Sequence, residues 1–126
     1  MARILVIDDE VQLRGVVRRI LERAGHDVVE AGDGDEGLKR HREHGADLVL
    51  LDIFMPGRDG IELIRDLRAE APETKIVVMS GGGRRGNLDL LDDARMLGAS
   101  RSLRKPFELA ALLALVREML GEPPAP

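Results

Sequence analysis

The sequence predicts an α/β fold in which a parallel sheet is covered by helices on both faces. Short apolar runs rich in β-branched residues alternate five times with segments whose apolar residues recur at helical spacing. The connections between these segments are short, which is typical of repeated strand–helix units in a doubly wound parallel sheet. A length of 126 residues fits one such domain and leaves no room for a second, output domain.

The first half of the chain contains three predicted strands and two predicted helices. Residues 3–7 form an apolar run that ends at Asp8 and Asp9, as expected for a buried parallel strand. A helix follows, because apolar residues recur at helical spacing up to Ala24, and Gly25 stands where helices commonly end. The next predicted elements are a strand at 27–31, a polar helix with a thin apolar stripe at 35–44, and the strongest strand at 46–51, before Asp52.

The second half repeats the pattern. The predicted elements are a helix at 61–71, a strand at 75–79, a helix at 90–97, a poorer strand at 100–104 and a last helix at 109–119. The tail EPPAP cannot continue a helix. We therefore expect one domain at residues 1–121 and a short proline-rich tail at residues 122–126.

Composition excludes several classes of function. Nineteen basic against 23 acidic residues give a net charge of −4, the wrong sign for a general binder of nucleic acid or anionic membranes. Cysteine is absent, which excludes disulfides, thiol catalysis and Cys-based metal sites. Only Phe54 and Phe107 are aromatic, which argues against base stacking. The apolar start is too short for a signal peptide or a membrane span, so we expect a cytoplasmic protein without direct DNA or membrane binding.

The predicted strands end in residues that suit one chemistry. These ends are Asp8-Asp9, Gly32-Asp33, Asp52, Ser80-Gly81 and Lys105-Pro106. Ligands bind at the carboxyl ends of strands in such sheets, so carboxylates, a hydroxyl and an ammonium are expected to converge there. Crowded carboxylates repel one another unless a cation enters, and Mg²⁺ prefers carboxylates, a backbone carbonyl and water. Together these groups favour phosphoryl transfer.

The same motifs resemble the receiver domain of two-component response regulators, of the CheY-like, stand-alone kind. The motifs are the acidic pair after the first strand, Asp52 within LLDIFMPGRDG, Ser80 after IVVM, and Lys105-Pro106-Phe107. The resemblance covers roughly residues 2–120. It implies a flavodoxin-like fold, that is, a (βα)5 sandwich with strand order 2-1-3-4-5.

The resemblance also implies roles for individual residues. Asp52 would be the phosphoacceptor, while Ser80 and Lys105 would contact phosphoryl oxygens. Asp8 would act mostly through a metal-bound water. The implied Mg²⁺ ligands are Asp8, Asp9, Asp52 and the backbone carbonyl of Phe54. The resemblance also implies a cis peptide bond between Lys105 and Pro106. Isolated X–Pro bonds favour trans by only about 0.5–1 kcal/mol, which the surrounding site can outweigh.

The implied function is signalling. A sensor histidine kinase or a histidine phosphotransfer protein would donate a phosphoryl group to Asp52, and the domain would catalyse this transfer and a slow autodephosphorylation. Phosphorylation would shift the face formed by the helix at 90–97, the fifth strand and the last helix, which would bind a downstream protein target.

Each motif has a simpler explanation when it is considered alone. Asp8-Asp9 could begin a helix, and Ser80 could be a cap or turn hydroxyl. GGGRRG matches a dinucleotide-binding fingerprint but follows the fourth strand, and it lacks the Lys and Ser/Thr of a Walker A loop. His26, His41 and His44 are expected to be surface or internally satisfied histidines. The joint placement of the motifs at strand ends favours the receiver.

Two other functions are alternatives to this interpretation. A phosphohydrolase using Asp52 as a transient nucleophile would normally need a carboxylate at position 54, which is Phe54. A degenerate receiver acting only as an interaction module is disfavoured because all five site residues are present, namely Asp8, Asp9, Asp52, Ser80 and Lys105.

Two features depart from the family pattern. Ser102 occupies a position where the family often has an aromatic ring. The segment 80–98 is longer than usual, so we expect this segment to be mobile.

Overall fold

The computed structural model describes residues 2–53, 60–81, 99, 101–105 and 107–121, with the backbone alone at residues 80 and 81. The strands are β1 (Arg3–Ile7), β2 (Asp27–Ala31), β3 (Leu48–Asp52), β4 (Lys75–Gly81) and β5 (Arg101–Lys105). The helices within these ranges are α1 (Val11–Arg23), α2 (Gly34–His44), α3 (Gly60–Glu70) and α4 (Leu109–Leu120).

The five strands form one parallel sheet in the order β2-β1-β3-β4-β5. This order confirms the predicted fold class. The central strands are apolar because both of their faces are covered, and every residue of β3 is buried. The edge strand β5 is polar, with the sequence RSLRK, and three of its residues are exposed.

Alternate residues of each central strand face opposite layers of the core. Leu5, Val49 and Ile76 pack with the apolar residues of α2 and α3 on one face. Val6, Leu50, Val77 and Met79 pack with those of α1 and α4 on the other face. Because the side chains of a strand alternate between its two sides, this division follows directly from the sheet being covered on both faces.

Helix α3 begins very close to the end of β3. The Gly60 N–H donates to the Ile53 carbonyl at 3.3 Å, and a Cβ at residue 60 would lie 2.7 Å from Ile53 Cα. A residue with a side chain would therefore push the helix away. Gly60 keeps α3 against the strand that ends at Asp52, and so fixes the geometry of this edge of the sheet.

Several predicted boundaries were wrong by one or two residues. β3 runs over 48–52 instead of 46–51, and β4 continues to Gly81 instead of ending at residue 79. The extra residues of β4 pair with the end of β5, Ser80 opposite Arg104 and Gly81 opposite Lys105. This pairing is a tertiary contact that the local sequence pattern does not contain. The helix predicted at 90–97 and the tail at 122–126 lie outside the described residues.

Candidate functional site

The candidate site lies at the edge of the sheet where the parallel strands end. Asp8 directly follows β1, Asp52 is the last residue of β3, and Lys105 is the last residue of β5. Strand register aligns these ends, because Asp52 lies opposite Met79 of β4 and Lys105 lies opposite Gly81. Three residues that are far apart in the sequence therefore meet at one edge, as the strand-end pattern predicted.

The ammonium group of Lys105 joins two buried carboxylates. Its Nζ donates to Asp8 Oδ2 at 2.7 Å and to Asp52 Oδ2 at 3.3 Å. The side chains of Asp8, Asp52 and Lys105 are 0, 6 and 11% exposed. Burial by itself lowers the pKa of Lys105, but the hydrogen bond to Asp8 and the charges of both aspartates outweigh burial and raise the pKa. The lysine is therefore a fixed positive charge beside two carboxylates.

Besides the contact with Lys105, three hydrogen bonds fix the position of Asp8. Its N–H donates to the Ala31 carbonyl at 3.1 Å, its Oδ1 accepts from the Glu10 N–H at 2.9 Å, and its carbonyl accepts from Arg14 Nη1 at 2.7 Å. Helix α1 begins after Glu10, which is its N-cap and makes no side-chain capping bond. Asp8 therefore belongs to the strand-end cluster, and the simpler explanation of the acidic pair as a helix start is not needed.

Three carboxylates at this edge are close enough to share a cation. One carboxylate oxygen each from Asp8, Asp9 and Asp52 lies within 4.8 Å of the other two. Asp9 is exposed whereas the other two are buried, so a cation has a route to the cluster from solvent. Carboxylate oxygens are hard ligands, and the donor set fits a divalent cation such as Mg²⁺ or Ca²⁺. The cluster is thus a candidate metal site.

Two residues near the site were missed by the sequence analysis. Glu10 Oε1 lies 3.3 Å from Lys105 Nζ, on a side chain that is 63% exposed. Arg14 contacts the Asp8 carbonyl from the first turns of α1. Glu10 directly follows the acidic pair, and this adjacency could have identified it. The contact made by Arg14 depends on how α1 packs on the sheet, and no local motif marks it.

Asp33 and His41, which the sequence analysis also singled out, do not join the cluster. Asp33 instead caps α2, where its Oδ1 accepts from the Glu36 N–H at 2.8 Å and the Glu36 side chain accepts from the Gly32 N–H. His41 hydrogen-bonds to Thr74, and its pKa is lowered by burial, with the charge of Glu70 opposing this. Among the described residues, the group that could hold a metal contains no histidine.

Some predicted site residues fall outside the described residues. These are Phe54, whose carbonyl was expected to bind the metal, and Pro106, which was expected to follow a cis peptide bond. Ser80 is described only as a β4 residue opposite Arg104. Ser102, at the position where the family often has an aromatic ring, is an exposed residue of β5 opposite Val78.

The sequence model of the response regulator receiver domain matches residues 4–117. The chain is a response regulator receiver domain. This receiver is similar to the chemotaxis protein CheY of Bacillus subtilis, with 32% identity, 94% of this chain and 98% of CheY covered. It is also 36% identical to the transcriptional regulatory protein ResD of Bacillus subtilis, but spans only 48% of that protein.

Solved structures agree with this assignment. The receiver domain of NtrX from Brucella abortus is 34% identical and has a TM-score of 0.86, with 94% of this chain and 98% of that chain covered. In the longer NtrX chain the matching region is 27% of the whole. A CheY-like receiver domain protein from Methanospirillum hungatei has a TM-score of 0.90 at 28% identity. The receiver family, its fold and its place in two-component signalling are therefore as the sequence resemblance implied.

Proposed function

We propose that this receiver accepts a phosphoryl group on Asp52 from a sensor histidine kinase or a histidine phosphotransfer protein, with Mg²⁺ as cofactor. The observation that carries the proposal is the contact of one ammonium group, Lys105 Nζ, with both Asp52 and Asp8. A carboxylate at a strand end, beside a fixed cation and a second acidic residue, suits transfer of an anionic group, because such transfer depends on positioning and on neutralising negative charge.

The transfer follows from the chemistry of the two partners. An oxygen of the Asp52 carboxylate forms a bond to phosphorus while the bond between phosphorus and the donor histidine nitrogen breaks. Lys105 neutralises negative charge on the phosphoryl oxygens, and the proposed role of Ser80 is to donate a hydrogen bond to another of these oxygens. The acyl phosphate later reacts with water, which releases inorganic phosphate and restores the carboxylate.

The proposed Mg²⁺ ligands are Asp8, Asp9, Asp52 and the Phe54 carbonyl. The ion, when bound, neutralises charge on the oxygens of the transferring group. Asp8 is fully buried and already bonded to Lys105, so its proposed contact with the ion is through water, whereas Asp9 is exposed and can bind the ion directly. The three carboxylates of the cluster thus have different roles that follow from their exposure.

The proposed output surface includes β5 and α4. β5 is an exposed, polar edge strand that ends at Lys105, so a change at the phosphorylation site reaches this surface along one strand. We propose that a downstream protein, and not DNA, binds here. The helix predicted at 90–97, which completes the surface in the sequence analysis, lies outside the described residues.

Phosphorylation by a small donor tests the assignment of Asp52. The protein is incubated with phosphoramidate and MgCl₂, and its intact mass is measured. We expect one phosphoryl adduct in the wild type, none after Asp52→Asn, and none in the wild type when EDTA removes the metal. Asp33→Asn is the matched control, because Asp33 also follows a strand but caps α2, and this variant should still be phosphorylated.

Other outcomes would identify the competing functions. An unmodified wild-type mass would favour an interaction module that has lost its phosphoacceptor role, and an adduct that persists in Asp52→Asn would overturn the assigned residue. Rapid turnover of a small phosphate ester would favour a phosphohydrolase.

The remaining expectations stay predictions. No helix in the described residues is long and apolar enough to cross a membrane. Cell fractionation would check the expected cytoplasmic location, and limited proteolysis would check the proposed limits of the receiver domain at 1–121 and of the tail at 122–126.

A further inference from the structure

The turn that carries the acidic pair is tied to α1 by one arginine. Arg14 Nη1 donates to the Asp8 carbonyl at 2.7 Å, and Arg14 Nε donates to Glu30 Oε1 at 2.9 Å. The Asp8 carbonyl belongs to the peptide group that joins Asp8 to Asp9. The guanidinium therefore holds the peptide between two candidate metal ligands, while neither carboxylate is among its contacts in the described residues.

Glu30 fixes the orientation of that guanidinium. Its two oxygens accept from different arginines, Oε1 from Arg14 and Oε2 from Arg18 Nη1 at 2.8 Å. Burial by itself raises the pKa of Glu30, but the hydrogen bonds from Arg18 and Arg14 outweigh burial and lower the pKa, so the carboxylate is ionised. Arg14 is thereby charge-compensated, and it can sit beside the acidic cluster without adding an unpaired positive charge that would repel a metal ion.

The space around Arg14 is restricted. Its side chain is only 17% exposed, and a Cβ at Gly32 would lie 3.2 Å from its Nη1. The guanidinium therefore packs over the backbone at the end of β2, directly beside the end of β1. A planar group with several N–H donors in fixed directions can bond to Glu30 and to the Asp8 carbonyl together, which a single ammonium cannot do with the same geometry.

We propose that Arg14 is a positioning residue for the metal site, which acts by holding the Asp8–Asp9 peptide through a guanidinium that Glu30 orients. The inference rests on the proposed function, because it assumes that the acidic cluster binds Mg²⁺. Residues that orient metal ligands typically change metal affinity or activity by about 10–100-fold when they are replaced. We expect Arg14→Gln to weaken Mg²⁺ binding by about tenfold, at the lower end of that range.

The test measures metal binding directly. ¹H–¹⁵N spectra of the unphosphorylated protein are recorded during titration with MgCl₂, and the shifts of the Asp8 and Asp9 amides give a dissociation constant. Arg18→Gln is the matched control, because Arg18 also bonds to Glu30 but makes no described contact with the acidic turn. Because Arg18 reaches the acidic turn only through Glu30, we expect the control to lose much less Mg²⁺ affinity than Arg14→Gln. Urea unfolding of each variant verifies that it is folded under the titration conditions.

A second variant keeps the positive charge. Arg14→Lys retains a cation next to Glu30 but lacks the planar set of donors, and we expect it to bind Mg²⁺ more weakly than the wild type. In phosphoramidate reactions, both Arg14 variants should need a higher Mg²⁺ concentration than the wild type for half-maximal rate. Their rates at saturating Mg²⁺ should change by a smaller factor than this Mg²⁺ requirement does.

Four results would overturn the inference. The first is an unchanged Mg²⁺ affinity in Arg14→Gln, and the second is an equal loss of Mg²⁺ affinity in Arg18→Gln. The third is a wild-type Mg²⁺ affinity in Arg14→Lys. The fourth is a lower phosphorylation rate of the Arg14 variants at saturating Mg²⁺ with no change in their Mg²⁺ requirement. A wild type that shows no Mg²⁺-dependent shifts would instead overturn the proposed metal site, and the inference with it.

Discussion

Removing Lys105 should destabilise the metal-free protein, because two buried carboxylates would lose the cation between them. The contacts of Lys105 Nζ with Asp8 at 2.7 Å and Asp52 at 3.3 Å each correspond to an attraction of about 5–6 kcal/mol at an effective dielectric constant of about 20. Desolvation of the lysine offsets most of this, and removal of one partner from a buried pair costs about 3–5 kcal/mol. Because Lys105 keeps some exposure, we expect Lys105→Met to lower the free energy of unfolding by about 3 kcal/mol.

Urea unfolding followed by far-UV circular dichroism measures this change. The chain has no Trp or Tyr, so it lacks the usual intrinsic fluorescence signal. The matched control is Lys75→Met, since the Lys75 ammonium donates to the Met119 carbonyl at the end of α4 and has no carboxylate partner in the described residues. A lysine at a helix C-terminus contributes about 0.3–1 kcal/mol, so the control should lose much less stability.

Added Mg²⁺ separates the two variants further. A ligand that binds only the folded state stabilises it in proportion to the logarithm of its concentration over its dissociation constant. Lys105→Met leaves the carboxylates without their ammonium and should gain more stability from MgCl₂ than the wild type, whereas Lys75→Met should gain as much as the wild type. The reasoning would be refuted if the two lysine variants lost the same stability to within about 0.5 kcal/mol and gained equally from Mg²⁺.

The pH dependence of the same pair has a defined sign. The pKa of Lys105 is raised above its ordinary value of 10.5, so its contribution to stability is fully present below that value. The contribution is lost as the pH rises through the higher pKa of the folded state. The difference in stability between wild type and Lys105→Met should therefore be constant around neutral pH and shrink in alkaline solution above pH 10.5.

Two further predictions concern glycines and a histidine. Gly60→Ala should destabilise the protein by about 1–3 kcal/mol, because its Cβ would lie 2.7 Å from Ile53 Cα. Gly15→Ala should instead stabilise α1 by about 0.5–1 kcal/mol, because, among the described residues, no atom beyond the neighbouring backbone of α1 lies within 4 Å of the new Cβ. Urea midpoints that moved in the same direction for both variants would contradict this. Burial lowers the pKa of His41, and the charge of Glu70 opposes this shift. The neutral ring therefore contributes stability that is fully present above pH 6.5, the ordinary pKa of histidine. This contribution is lost as the pH falls through the lower pKa of the folded state. His41→Gln should therefore show a smaller loss of stability between neutral pH and pH 5 than the wild type, and parallel curves would exclude His41 as the cause.

The sequence predicted the fold well where local pattern and packing agree. β1 and β2 have the bounds that their apolar runs indicated, and even the polar helix α2, with its thin stripe, is present. α2 begins at Gly34, one residue earlier than predicted, because Asp33 caps it. The end of β4 was missed because its last residues are held by pairing with β5, a partner more than twenty positions away that local sequence cannot indicate.

The candidate site could be predicted only in part for a similar reason. Asp8, Asp52 and Lys105 were identifiable because a parallel sheet brings its strand ends together whatever the details of packing. Asp33 also follows a strand, but its side chain is used by the helix that comes next. Arg14 carries no motif, and its role depends on the rotation of α1 about its axis, which is set by the apolar contacts of that helix with the sheet.

The bond between Lys105 and Asp8 joins residues 97 positions apart. Closing a loop of this length costs conformational entropy that contacts within the loop help to offset, so we expect this bond to form late in folding. During synthesis, β1 and β3 are made before β5, and a chain at that stage carries Asp52 without Lys105. We therefore expect nascent or C-terminally shortened chains to be poor phosphoacceptors. Phosphorylation of Asp52 would then occur only in chains that have folded as far as β5.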